Sequence, residues 1–376
     1  MELLLSLRDL KIPAVCDVSV TNICNAACDF CGFARDKMLE PAKYLDADAF
    51  HQAHVILHRR GVRYLTFQGG EPLVHPDIIR MVSSTVAGGI RCAVITNGWF
   101  LPRHIDALAA AGLSQVIISI DSPNLVRHER NRGLMGLEHR IIEGIARAHA
   151  LGLPVQASVT INRLLNFEEL PQTLHRLGFD NVSFSYPRRE PFGSTSLVYH
   201  DSSLIDLDQN ELLTAIDAIR RLRRLFPVLN PRASLDEVAR YVRGEPQSIP
   251  CVGGYKYFYV DWNLDIWRCE AWSEPMGSVL DLDRIPDLRD PCNACMMACY
   301  RTASMLMHSA VATRDAAMAF SSGRIGDAVA TLFRRGVAVS FWALIEELPR
   351  RRRRAHRVAT KARERLPEGE PGLPLG

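Results

Sequence analysis

The sequence predicts an α/β protein built on six parallel βα units, followed by a small cysteine-rich region and C-terminal helices. Two observations carry that expectation. Short apolar, β-branched runs recur at regular intervals with helix-like stretches between them, and polar or glycine-rich residues follow each run. The runs are AVCDVSV (14–20), YLTFQ (64–68), CAVIT (92–96), VIISI (116–120), VQASVT (155–160) and VSFSY (182–186). Near-continuous apolar runs of this kind are expected of strands buried on both faces. About 190 residues hold all six, so the sheet is a partial barrel or an open doubly wound sheet; a complete eightfold barrel needs roughly 250.

The intervening stretches carry helix signals. DADAFHQAHVILHRRG opens on a carboxylate that can cap and closes on Gly61. HPDIIRMVSSTVAGG puts Pro76 near a first turn. LEHRIIEGIARAHALG sets Ile141, Ile145 and Ala148 on one face. Residues 203–245 read as a helical connector, and 304–320 and 325–348 as further helices. The last 20 residues, rich in Arg, Glu, Pro and Gly, read as disordered.

The chain has 376 residues, 47% hydrophobic and 23% charged, which is ordinary globular composition and too long for one small core. It has no run of 18 apolar residues, so no spanning helix is expected. The start, MELLLSLRDLKIPAV, lacks a basic leader and a small-residue cleavage site, and a cytoplasmic location is the expectation. Net charge is +3, but from Arg301 onward 14 basic residues stand against seven acidic ones, a local excess of +7. The C-terminal part is therefore a basic appendage on a mildly acidic body.

Ten cysteines are many for a reducing compartment, where metal ligands or buried thiols are expected more than disulfides. Cys16 and Cys92 sit alone in apolar runs and read as core. The other eight form two groups. The first, Cys24, Cys28 and Cys31 in NICNAACDFCGFA, is one short of a closed zinc site, and no His or carboxylate stands at a spacing that would complete it. A 4Fe–4S cube held by three cysteines leaves one iron for a ligand that is not protein. Phe30 beside Cys31 can shield such a cluster or stack on a bound base.

Polar residues gather where the strands end, the rim at which such folds place chemistry. QGGEP follows the second run, TNG the third, SID the fourth, TIN the fifth and SYPRRE the sixth.

The motif Cys24-Asn-Ala-Ala-Cys28-Asp-Phe30-Cys31 resembles the CxxxCxxC signature of the radical S-adenosylmethionine (radical SAM) superfamily. GGEPL after the second strand and ISIDSPNLVRHERNRG extend the resemblance over roughly residues 14–190. The resemblance implies a partial (β/α)6 TIM-type barrel over 14–200, preceded by an N-terminal extension (1–13). It also implies that SAM chelates the fourth iron through its amino and carboxylate groups. One electron from the reduced cluster then breaks the C5′–S bond, and the 5′-deoxyadenosyl radical attacks the substrate. The electron would come from a small donor of the flavodoxin or ferredoxin type. Cys24, Cys28 and Cys31 would be the catalytic metal ligands. Gly69 and Gly70 would let the backbone approach SAM, Glu71 would accept from its amino group, and Pro72 would stiffen the turn. Asn97, Ser119 and Asp121 are rim candidates for ribose or carboxylate contacts, and Arg132 for the SAM carboxylate. Turn, cap and ion-pair roles are the plain alternatives for Asn97, Glu71 and Arg132.

The second group is Cys251, Cys269, Cys292, Cys295 and Cys299. Between the first two, YKYFYV, the turn DWNLD and IWRC read as a hairpin. The region (249–302) resembles the auxiliary-cluster domain called SPASM or, in its one-cluster form, twitch. The fuller form has seven cysteines; five here imply one additional 4Fe–4S cluster with one thiol to spare, with zinc as the alternative. DPCNACMMACYRTA (290–303) also resembles the C-terminal region of radical SAM enzymes that join adenosyl to a hopene lipid, with Ala298 and Tyr300 in place of the expected His and Gly.

From Val329, apolar residues at Leu332, Phe333, Val337, Phe341, Leu344, Ile345 and Leu348 fall at helical spacing, and PRRRRRAHR follows. This basic helical tail (303–376) is expected either to pack on the body or to lie on an anionic lipid surface, peripheral at the inner face of a membrane. Nucleic acid is not expected, because the arginines lack interleaved stacking aromatics. The substrate expected is a lipid or isoprenoid. A ribosomally made peptide, a small sugar or an aminocyclitol is the alternative, the 13 residues before the first strand being short for a peptide-docking domain. A non-catalytic iron–sulfur carrier is the remaining class.

Overall fold

The six β-branched runs become strands β1 (Ala14–Ser19), β2 (Val62–Gln68), β3 (Arg91–Thr96), β4 (Gln115–Ser119), β5 (Val155–Thr160) and β6 (Asn181–Ser185). The computed structural model describes residues 6–35, 41–187, 193–195 and 201–347. Arg188, Arg189 and Glu190 of the expected rim, Leu348 and the arginine run at 350–354 lie outside the described residues.

All six strands are parallel and pair in chain order, with Val18 beside Phe67, Phe67 beside Val94 and Val116 beside Val155. A doubly wound sheet reverses its strand order at a switch point. This sheet does not, and the fold is the partial barrel. Helices cover its outer face. In the helix Ala47–Arg59, Asp46 accepts from the Ala49 amide at 2.7 Å, and the chain leaves through Gly61 at φ +97°. The helix Leu137–Ala150 buries Ile141, Ile145 and Ala148 as its spacing predicts, each large aliphatic contributing about 1.5–3 kcal/mol.

Burial on both faces holds for β1, where Asp17 and Ser19 are buried as well as Cys16 and Val18, but not along β2 to β6. Cys16, Val18, Leu65, Phe67, Cys92 and Val94 are buried under the helices. The opposite face carries Thr66, Gln68, Ser119, Ser158, Ser183 and Ser185, all only half-buried. Six strands that do not close leave the barrel interior unfilled, so alternate positions line an accessible lumen with short polar side chains.

The expected hairpin is present as β7 (Tyr257–Val260) and β8 (Asp265–Trp267), with Tyr259 opposite Trp267. Asp261 holds its turn: Oδ1 accepts from the Asn263 and Asp265 amides, and Oδ2 from Trp267 Nε1 at 3.0 Å. The hairpin does not stand apart. β7 pairs parallel to β1, Val15 beside Tyr257, and β9 (Gly277–Ser278) extends the same nine-stranded sheet. At the other edge, Val182 of β6 exchanges hydrogen bonds with Pro227 and Leu229. That segment lies between the helices Gln209–Leu222 and Arg232–Val242, so the connector also covers an edge. One helix, Ala298–Ser321, runs straight through the boundary expected at 302.

Candidate functional site

The cysteine loop leaves β1 and is clamped from three sides. On the first, the Gly70 amide donates to Thr21 O and the Glu71 amide to Ile23 O, both at 2.8 Å. A Cβ on Gly70 would stand 2.1 Å from Ile23 O, and one on Gly69 would stand 2.5 Å from Thr21 O. Gly69 also sits at φ +129°. The two glycines therefore have a packing reason of their own: only a bare backbone lets this loop lie down. On the second side, Thr21 Oγ1 donates to Lys43 O, and the Asn22 amide group bonds Pro41 O and the Lys43 amide. On the third, the Ala27 amide donates to Arg132 O at 2.8 Å.

Within that frame Cys24 and Cys31 are half-buried and Cys28 is buried. Burial, with the Glu71 charge second, pushes the Cys24 thiol up to about 12. Burial and the other two thiols raise Cys31 as well. Phe30 is buried beside Cys31, and Phe33 meets Trp262 of the β7–β8 turn edge-on at 6.1 Å.

Glu71 is buried at the end of β2. Its Oε1 accepts from the Leu73 amide and from Thr96 Oγ1, and its Oε2 from the Asn97 amide. It thus caps the short turn Pro72–Val74, which Pro72 opens, and ties β2 to the end of β3. Burial raises its carboxyl to about 6 despite those bonds. Asn97 Oδ1 accepts from Trp99 N, a turn role, while its Nδ2 donates to Asn25 Oδ1 at 2.8 Å, inside the cysteine loop. Ser119 faces the lumen, half-buried, beside Ser158 of β5.

Asp121 and Arg132 form one buried ion pair, Nη2 to Oδ1 at 2.6 Å. Asn131 Nδ2 donates to the other carboxylate oxygen, and His128 Nδ1 accepts from the Asp121 amide. Burial would raise the Asp121 carboxyl, but the Arg132 charge beside it overrides that and holds it well below the usual carboxylate range. Burial would lower Arg132, and Asp121 together with the Cys28 and Cys24 thiols raises it instead. The guanidinium therefore sits in the field of two of the three thiols. Its Nε is buried without a partner, and so is Asn25 Nδ2.

These residues fit a cube completed by an anionic chelator. Three thiols stand on one loop, and two buried, unpartnered donors belong to that loop and to the Arg132 that bonds it, each of which an acceptor oxygen would satisfy. Among the described residues no three His, Cys, Asp or Glu side chains close on a single metal ion. A cube takes each thiolate on a different iron.

At the second group, the Cys251 amide donates to Cys292 O at 3.0 Å, and Cys251 Sγ accepts from Gly253 N. Cys251, Cys269, Cys292 and Cys295 belong to one apolar cluster with Val252, Tyr255, Tyr257, Met297 and Tyr300. Burial pushes Cys269 up to about 12, with Cys295 and Cys251 adding to it. Cys299 lies outside that cluster and is exposed as a residue, yet burial, with Glu270, Asp17 and Cys295 nearby, pushes its thiol well up, so its side chain points inward, toward the carboxylates rather than among the four clustered thiols.

Sequence reasoning missed two carboxylates. Asp17 accepts from Tyr257 Oη at 2.8 Å, and Glu270 accepts from Gln68 Nε2. Both are buried, and neither is drawn back down by a lysine or arginine. Burial pushes Asp17 up to about 6, and burial with the Asp17 charge pushes Glu270 up to about 8. An Asp inside the apolar run AVCDVSV was the available signal. Thr21, Asn22, Asn25, His128 and Asn131 were also passed over; TN ahead of the first cysteine and HERN ahead of Arg132 were the only hints.

A scan against family models matches residues 18–177 to the radical SAM superfamily. The chain carries a radical SAM domain. Over 168 residues, 43% of this chain and 50% of the relative, it is 32% identical to the GTP 3′,8-cyclase of Stenotrophomonas maltophilia. Over 162 residues, 43% of this chain and 46% of the relative, it is 29% identical to the AdoMet-dependent heme synthase of Methanosarcina barkeri. The chain thus spans about half the length of these curated relatives. The crystal structure of Streptococcus suis SuiB bound to precursor peptide SuiA matches with TM-score 0.55 at 15% identity, over 76% of this chain and 66% of that one. The radical SAM domain therefore shares its fold with SuiB, and at that identity the likeness shows fold alone.

Proposed function

We propose that this chain is a radical SAM enzyme that cleaves SAM reductively at Cys24, Cys28 and Cys31 and turns the radical on a lipid or isoprenoid substrate. The observation that carries the first half is the pair of unpartnered buried donors, Arg132 Nε and Asn25 Nδ2, beside a three-thiol loop. When bound there, a 4Fe–4S cluster supplies the electron that splits SAM into methionine and a 5′-deoxyadenosyl radical. Cys24, Cys28 and Cys31 hold it as thiolates, so binding releases their protons. Arg132, already fixed by Asp121, offers its free Nε to the SAM carboxylate. Asn25, held by Asn97, offers Nδ2. Glu71 shapes the turn that presents the Gly69–Gly70 backbone, and its second lone pair on Oε2 is available to the SAM amino group. Ser119 lies at the same rim for the ribose. Phe30 keeps water from Cys31.

In the second cysteine group, Cys251, Cys269, Cys292 and Cys295 are the four thiols we assign to an auxiliary 4Fe–4S cluster, with Cys299 spare. A flavodoxin- or ferredoxin-type protein is the electron donor this chemistry requires. The lipid reading is supported by the resemblance of residues 290–303 to hopene-adenosylating enzymes and by the apolar C-terminal helices described below. A second reading, a small polar substrate such as a sugar or aminocyclitol, is favoured by the hydroxyl-bearing lumen wall of Thr66, Ser158, Ser183 and Ser185.

The test is mass spectrometry of total lipids from the host with and without the gene. The lipid reading expects one species to vanish and an unmodified precursor to accumulate. An unchanged lipidome in cells that contain the protein contradicts it and favours the polar substrate.

A further inference from the structure

The C-terminal helices are built inside out. The helix Arg335–Glu347 turns small and polar residues toward the body. A Cβ on Gly336 would meet Ser248 O at 2.5 Å, Ser340 Oγ accepts from the Ser309 amide, and Glu347 accepts from Arg223. Its outward stripe is Ala338, Phe341, Trp342 and Ile345, at the i, i+3, i+4, i+7 spacing of one helix face. A soluble helix buries that stripe. Here Trp342 is 66% exposed and Phe341 54%. The preceding helix, Ile325–Leu332, buries only Ala328 and exposes Ile325, Val329 and Leu332; Phe333, at the joint, is 85% exposed. The two helices meet at a bend of 51°. The helix therefore packs on the body, with Ala343 buried against Ile249 and Met305, but through its small and polar face; the apolar stripe faces away.

We infer that this helix pair is a docking surface for an anionic lipid bilayer, lying in the headgroup region with Phe333, Phe341 and Trp342 inserted. Charge selects that occupant. Arg334 and Arg335 flank the apolar joint, and PRRRRRAHR continues the sequence at 349. The acidic residues of the second helix, Glu346 and Glu347, both turn to Arg223. Apolar side chains followed in the chain by arginines suit anionic headgroups. No single helix among the described residues is long and apolar enough to cross a membrane, and this pair reaches that length and composition only jointly, across its 51° bend; because the second helix packs on the body along one face, we place the pair in the surface rather than across it. A second copy of the chain fits less well. A twofold contact through this face would set Arg334 and Arg335 of both copies around one patch, like charge against like.

The full chain, sedimented with vesicles of phosphatidylcholine with and without phosphatidylglycerol, tests this. It is expected to pellet with the anionic vesicles and to release as salt rises. Phe341→Ser/Trp342→Ser, altered only at exposed positions, is expected to lower partitioning at least about tenfold. Parent tryptophan fluorescence shifts to shorter wavelength on the vesicles and the double variant's does not. Parent protein left in the supernatant overturns the inference, as does unaltered binding by the variant. A parent dimer that the variant dissociates, without vesicle binding, assigns the face to a second copy instead. None of these readouts uses SAM, so failure here leaves the cluster reading standing.

Discussion

A methyl group on Gly70 would stand 2.1 Å from the carbonyl oxygen of Ile23. The cysteine loop thus depends for its placement on a residue outside it. Gly70→Ala must push the loop off β2 and break the Gly70–Thr21 and Glu71–Ile23 hydrogen bonds. We expect a loss of about 1–3 kcal/mol in unfolding free energy and a fall of iron at the first site after anaerobic reconstitution. Iron content equal to the parent would contradict this.

Arg132 and Asp121 should be separable by a double variant. Arg132→Met leaves a buried carboxylate uncompensated and should destabilise by about 3–5 kcal/mol. Asp121→Asn/Arg132→Met should recover most of that stability. It should not recover SAM binding, which is expected to weaken roughly ten- to a hundredfold through loss of a charged hydrogen bond. Denaturant titration and SAM binding to the reconstituted protein measure the two effects. Normal SAM affinity in the double variant would remove Arg132 from the site.

The proposed four-to-one division of the second cysteine group is open to a direct test. Cys295→Ser should lower bound iron by one cluster, about four irons per chain, and Cys299→Ser should leave it unchanged. Equal losses would mean that Cys299 is a ligand.

His128 gives a pH dependence. Burial lowers its pKa, against the opposing pull of the Asp121 carboxylate. In the unfolded chain it binds a proton near pH 6.5, and in the folded chain it does not. Unfolding therefore takes up a proton, and its share of stability is lost as pH falls below about 6.5, by at most about 1.4 kcal/mol per pH unit. His128→Gln lacks that loss. The variant's deficit against the parent should narrow from pH 7.5 to 5, read from urea midpoints. A constant difference would show that His128 titrates in the fold.

Much of this was readable from local sequence. β-branched runs gave all six barrel strands to within two residues, because strand burial and period are local properties. Asp261 and DWNLD gave the hairpin for the same reason. The sheet that joins the two halves was not readable: Val15 pairs with Tyr257, and no pattern along a chain reports a partner so distant. The lumen was misjudged because Thr, Ser and Gln at alternate positions look like tolerated polar residues until the sheet curls. Glu71 was legible as a site residue, but its bonds to Thr96 and Asn97 required the fold. The C-terminal stripe was legible as amphipathic, and which way it faced was not.

The measurement that tests the central claim most directly is SAM cleavage by the anaerobically reconstituted, dithionite-reduced protein, with Cys28→Ala beside it. The account predicts 5′-deoxyadenosine and methionine from the parent. It predicts none from the variant, together with about one cluster less iron. A variant that keeps its iron and still forms deoxyadenosine would contradict it.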